Sequence, residues 1–161
     1  MNNKIYKALD ISMYIIYYTN STNNAISNLR LQQALYFTQV AFIVEKNMPC
    51  FEEEFQAWDC GAVIPQIYNE FATYGINNIP TIIEYTDFST GILNATKKKV
   101  TDNIITLSDK KIINKIVDTL NNYSTIEIIK IIHNQATWQN AYIRGFHNVI
   151  TKKSIKDFFT N

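Results

Sequence analysis

The stretch NLRLQQALYFTQVAFIVEK, residues 28–46, decides the fold class. Leu31, Leu35, Phe42 and Val44 lie at helical spacing, and Tyr36, Phe37 and Val40 widen the apolar surface beyond one narrow stripe. A helix apolar on several faces needs neighbours on several faces, so it reads as a central element of a packed fold. Its β-branched residues carry a small propensity cost that tertiary burial outweighs. Ser27 or Asn28 can cap its start, and Asn47-Met48-Pro49 ends it.

Helical patterns continue on both sides. Upstream, Ile5, Leu9, Met13 and Ile16 recur at steps of three and four and predict a helix over about Lys4–Thr19, closed by the polar turn Asn20-Ser21-Thr22-Asn23-Asn24. Downstream, Pro65 suits the first turn of a helix to Tyr74 that faces Ile67, Phe71 and Tyr74 inward, with Tyr68 alongside. Ser108 is the expected cap of a helix carrying Ile112, Ile113, Ile116, Val117 and Leu120. Ser124-Thr125-Ile126-Glu127 has capping-box spacing and opens a short helix to about Asn134. Thr151 starts a last helix expected to bury Ile155, Phe158 and Phe159. Phe55–Trp58 is too short for periodicity to separate a strand from a helical turn. Residues 76–107 are the least readable part, leaving a hairpin and an irregular segment both open. The expectation is a mainly α, single compact multi-helix domain, residues 1–161, around a central hydrophobic helix, with room for one short β-hairpin.

Composition narrows the function. Fifteen Lys and Arg against fourteen Asp and Glu give a net charge of +1, so nucleic acid is not implied. The amino-terminal apolar stretch is interrupted by Lys4, Lys7 and Asp10 and is too short to span a bilayer, so no membrane association is expected and the cytoplasm is the default address. Cys50 and Cys60 lack redox or zinc-knuckle spacing and suit a reducing compartment.

No motif supplies a catalytic set. His133 and His147 form no metal-binding helix pair, and with Cys50 and Cys60 they match no structural zinc spacing. Cys60 and His133, with Asp59 adjacent, are the least weak nucleophile and base. Glu52-Glu53-Glu54 reads as a solvated acidic face and Lys97-Lys98-Lys99 as a solvated loop. Four glycines make no phosphate loop. Neither metal nor cofactor is expected, nor enzymatic activity.

Residues 26–75 resemble the Panacea domain, a family of bacterial and phage proteins that includes antitoxins and a proteolysis-linked antitoxin adaptor. The resemblance rests on Leu29-Arg30-Leu31-Gln32-Gln33-Ala34-Leu35-Tyr36-Phe37-Thr38-Gln39, then Phe51, Glu52 to Glu54, Ala57-Trp58, Gly61-Ala62-Val63, Pro65 and Tyr68. His133 ahead of Trp138 resembles a later family signature, and ITKKSIKDFF is similar to its closing helix. Three departures stand out: Ala62 for a usual Pro, Gln33-Ala34 for Lys-Leu, and Thr137 where Pro commonly precedes the tryptophan.

The resemblance implies direct binding and neutralisation of a cognate toxin. Delivery of a bound protein to a cellular protease is an alternative, and a small Cys/His enzyme a third. Homo-oligomerisation stays open. The candidate interaction residues are Leu31, Gln32, Tyr36, Gln39, Trp58, Gly61, Val63, Pro65, Tyr68, His133 and Trp138. Trp58 is expected to pack on the central helix at Leu35, Tyr36 and Gln39, its indole meeting a backbone acceptor, with Gly61 allowing a close approach; a place in a partner-facing groove is the competing expectation. His133 and Trp138 divide in the same way, between a functional groove and a hydrogen-bonded brace.

Overall fold

The computed structural model describes residues 3–161, about half of them helical. In chain order the elements are α1 (Ala8–Ser21), α2 (Asn28–Lys46), β1 (Phe55–Trp58), β2 (Gly61–Val63), α3 (Pro65–Glu70), β3 (Glu84–Asp87), β4 (Thr96–Lys99), α4 (Leu107–Leu120), α5 (Thr125–His133), α6 (Ala136–Ala141), β5 (Val149–Ile150) and α7 (Lys152–Thr160). Single 3-10 turns follow α3 and bridge β3 to β4. Strands β2, β1 and β5 form an antiparallel sheet in that order, and β3–β4 is a separate hairpin.

Helix α2 has the predicted bounds: the Ser27 hydroxyl accepts from the Arg30 amide, and Asn47 ends the helix in the left-handed conformation. It packs against α1, α3, α4, α5, α7 and β2. Leu31, Leu35, Tyr36 and Phe42 are fully buried, whereas Val44 faces solvent, contrary to its assignment to the apolar set. The buried surface is far from purely hydrophobic, since Asn28, Gln32, Gln33, Thr38 and Gln39 lie inside as well.

Those amides answer a backbone problem. Irregular chain running through an interior carries peptide groups with no ladder to join, and each must find a partner. Gln39 donates to the Phe51 carbonyl at 2.9 Å and accepts from the Cys50 amide at 2.7 Å. Gln32 accepts from the Ile64 amide at 2.9 Å, and Asn28 donates to the Tyr68 carbonyl at 2.9 Å. Two family-motif glutamines, Gln32 and Gln39, thus anchor the chain on either side of β1–β2, while Leu31 and Val63 fill the core around them.

Several boundaries move for local reasons. Helix α1 begins at Ala8, not Lys4, because Tyr6 is bridged to Phe51 and the Ala8 amide donates to the Glu53 carboxylate. Ile5 is therefore exposed. Thr106, not Ser108, caps α4. Helix α3 stops at Glu70 and tightens into a 3-10 turn, which leaves Tyr74 only half-buried. The Ser124–Glu127 capping box and the Thr151 cap form as expected. Of the three residues assigned inward on α7, only Ile155 is buried; Phe158 is exposed and Phe159 half-buried.

The β3–β4 hairpin occupies the least readable segment. Its lysine run is a strand, not a loop, in which Lys97 and Lys99 face solvent and Lys98 turns inward. Lys98 reaches Asp10 at 3.0 Å and Asp87 at 3.1 Å, Lys7 reaches Asp87 at 2.5 Å, and the Tyr85 hydroxyl donates to Asp10 at 2.7 Å. Burial acts to raise the Asp87 pKa, but the bonds from Lys7, Ser89 and Lys98 outweigh it and hold the carboxyl well below the usual range. Asp109, buried under Lys46 and Tyr6, is lowered in the same way.

Two outcomes follow from these contacts. Gln39→Met leaves the Cys50 amide and Phe51 carbonyl buried without partners and should lower unfolding free energy by about 2–4 kcal/mol, read from the urea midpoint. Asp87 and Asp109 have folded pKa values below the unfolded one, so their contribution is complete above about pH 4 and disappears as pH falls through the folded values. Acid titration of stability should therefore be less steep in Asp87→Asn than in the parent chain.

Candidate functional site

Strand alternation sorts the residues around β1. Phe55 and Ala57 are buried, while Gln56 and Trp58 point to the other face and are half-buried. Phe55, not Trp58, meets α2: its ring stands edge-on to Tyr36 with centroids 5.5 Å apart, and Phe51 lies 5.9 Å beyond. The expectation that Trp58 packs on Leu35, Tyr36 and Gln39 is therefore replaced, because the period of two that buries Phe55 turns Trp58 outward.

On that outer face Trp58 stacks on His147 at 4.7 Å with planes 20° apart, and Tyr68 from α3 meets it edge-on at 5.2 Å. Pro65 fills the first position of α3, the helix that presents Tyr68. The Trp58 indole donates to the Gln56 side chain at 2.9 Å, not to a backbone carbonyl. The segment 142–148, which supplies His147, also exposes Ile143 and Phe146. Beside Tyr68, a hollow of about 360 Å³ is lined by Leu29, Cys60, Ala72 and Ile76.

A second aromatic stack stands behind the β1–β2 turn. His133, Trp138 and Tyr142 lie face to face, with centroids 4.1 Å and then 4.2 Å apart. Each ring also grips the turn. The Trp138 indole donates to the Trp58 carbonyl at 3.0 Å, His133 Nε2 donates to the Asp59 carbonyl at 2.8 Å, and the Tyr142 hydroxyl donates to Asp59 Oδ1. A net contribution of about 1 kcal/mol per bond is enough for three together to hold a short turn in one conformation.

Gly61 completes that turn at φ +124°, a region other residues rarely enter. A Cβ there would meet Ile132 at 3.7 Å, an ordinary contact, so the glycine is required by backbone conformation and not by close approach.

The brace is fixed to α2 in turn. The Tyr36 hydroxyl donates to Gln135 Oε1 at 2.7 Å and lies 2.9 Å from the Thr137 hydroxyl, all three being buried. Burial pushes the Tyr36 phenol up to about 12. Thr137, one of the departures from the family pattern, thus supplies a hydroxyl that proline would lack.

The remaining candidates separate by their surroundings. Burial raises the Cys60 thiol, opposite to the lowering that an activated nucleophile requires, and the His133 ring nitrogen is already committed to Asp59. Cys50 is fully buried and its thiol is raised further. Glu52 and Glu54 are exposed beside Lys152, at 3.9 and 3.8 Å, whereas Glu53 serves the α1 terminus.

Sequence reasoning places Trp58, Gly61, Tyr68, His133 and Trp138 in the region that the fold brings together. Tyr142 and Asp59 as its clasp, and His147 as the ring on Trp58, are missed. Of these, only the four-residue step from Trp138 to Tyr142 is visible along the chain, because the pairings with the turn cross 74 to 83 residues and that of His147 with Trp58 crosses more.

Comparison with known proteins bears on the same region. The family model described as "Antitoxin SocA-like, Panacea domain" matches residues 31–139, from the first turn of α2 to the middle of α6. Antitoxin SocA of Caulobacter vibrioides (strain NA1000 / CB15N) is 44% identical over 50 residues, 31% of this chain and 27% of that protein. The match thus spans about a quarter of that relative's length. No solved structure matches.

The two rings of β1 should respond differently to truncation. Phe55→Ala should cost about 3–5 kcal/mol, as for a buried ring, and Trp58→Ala less than about 2 kcal/mol. Urea unfolding of the two variants beside the parent chain reads the difference directly.

Proposed function

The chain belongs to the antitoxin SocA-like Panacea domain family, and from that premise we propose that it is a cytoplasmic antitoxin that neutralises a cognate toxin by direct contact and without catalysis. Residues 1–161 act on this reading as one domain organised around α2. The contact surface is the aromatic face built on Trp58, Tyr68 and His147, continued by the exposed Phe146 and Ile143.

The observation that carries this assignment is the braced turn. Three hydrogen bonds from a stacked His133–Trp138–Tyr142 column, two to backbone carbonyls and one to the Asp59 side chain, hold the turn from which Trp58 projects. An aromatic anchor held before encounter loses little freedom on binding, and tryptophan and tyrosine are the side chains that most often dominate interface energetics. The raised Cys60 thiol and the committed His133 ring favour binding over thiol chemistry.

Coexpression with the toxin encoded beside it should restore growth, and Trp58→Ala should weaken the purified complex by about 2 kcal/mol, roughly 30-fold, with little loss of melting temperature. The proposal fails if no neighbouring toxin binds or is silenced. Toxin half-life is measured in the same cells: an unchanged or lengthened lifetime fits neutralisation by contact, and a protease-dependent shortening would replace it with delivery for degradation.

A further inference from the structure

At the β1–β2 turn, next to Trp58 in the chain, stands an exposed carboxylate. Asp59 Oδ1 accepts the Tyr142 hydroxyl, and that bond, the larger influence, raises the Tyr142 pKa. Asp59 is exposed, and no Lys, Arg or His of the described residues forms an ion pair with it. Arg144, two residues past Tyr142, acts on that phenol only through its field. The second oxygen, Oδ2, accepts no hydrogen bond among the described residues.

One aromatic side chain touches this carboxylate and another precedes it in the chain. Trp58 precedes it in the strand and carries His147 and Tyr68; Tyr142, at the end of the His133–Trp138–Tyr142 column, touches it directly. The backbone beneath is fixed at the Trp58 and Asp59 carbonyls. A held carboxylate with aromatic side chains in its neighbourhood suits a planar, delocalised cation, which can pair with the oxygen while lying against a ring. An ammonium satisfies the charge without the plane, and a neutral amide the plane without the charge.

We propose that Asp59, which follows Trp58 in the chain and is held by Tyr142, is a recognition site for a guanidinium, an arginine side chain that the toxin presents to this surface. The site rests on the antitoxin reading and gives it a chemical requirement, that the toxin surface present an exposed arginine. Asp59→Asn is the informative variant, because the amide oxygen can still accept from Tyr142 while the charge is removed.

The full chain, labelled with nitrogen-15, is titrated with Nα-acetyl-arginine methylamide and, separately, with the citrulline analogue, which keeps the shape and lacks the charge. Saturable shifts of the Trp58 and Trp138 indole signals with the arginine probe are expected, at least tenfold weaker with citrulline and in Asp59→Asn. Equal responses to the two probes, an unaltered response in Asp59→Asn, or no response overturns the site. In the toxin complex, Asp59→Asn should raise Kd at least tenfold. Loss of affinity in Trp58→Ala with none in Asp59→Asn overturns the guanidinium assignment alone, whereas full affinity in both variants removes the aromatic face as the contact surface.

Discussion

The structure depends on a demand imposed by the chain between α2 and α3. That segment crosses the interior with too little regular structure to pair its own peptide groups, and α2 supplies the missing partners from side chains. Gln39 takes one donor and one acceptor from Cys50 and Phe51, and Gln32 takes the Ile64 amide where β2 gives way to α3. A helix made only of leucine and phenylalanine would bury more apolar area and leave these groups unpaired, which costs more than the area returns. With both ends of the segment fixed, Phe55 must enter the core against Tyr36, and Trp58, three residues on, must leave it.

The same logic carries the brace. Tyr36 reaches Gln135 and Thr137 inside the core, and their position sets α6, from which Trp138 and Tyr142 return to the β1–β2 turn. Core and surface are therefore linked by one series of hydrogen bonds that starts at a buried tyrosine and ends at an exposed aspartate. In such an arrangement a residue can be fully buried and still govern a surface by deciding where another side chain stands. Leu31, Gln32, Tyr36, Gln39 and Val63 belong to that framework, while Trp58 and Tyr68 lie at its outer edge.

What the sequence makes legible is what is local. Helix α2, the Ser124 capping box and the Thr151 cap are recognisable because each is defined within a few neighbouring residues. Strands β1, β2 and β5, of four, three and two residues, are too short to establish a period. The lysines of β4 obscure its alternation, since Lys98 turns inward only by virtue of Asp87 on the paired strand and Asp10, 88 residues away in the chain. The outward turn of Trp58 escapes for a related reason: tryptophan is the natural first choice for a core, and only the pairing of β1 with β2 and β5 reveals that Phe55 already holds the place.

The long reach of these bonds also sets a timetable for the molecule's synthesis. Tyr6 to Asp109, Tyr14 to Asn114 and Tyr36 to Gln135 each join residues about a hundred positions apart, and the turn at Asp59 is clasped by Tyr142 from 83 residues away. Contacts so distant in sequence close late, after the entropy of long loops has been overcome. On a ribosome the amino-terminal helices can form early, yet Trp58 gains its support only when the segment beyond α5 has emerged from the exit tunnel. A nascent chain that stops before α6 thus carries α1 to α5 and lacks the Trp138 and Tyr142 bonds to the turn, so the support of Trp58 arrives with one segment and not in proportion to length.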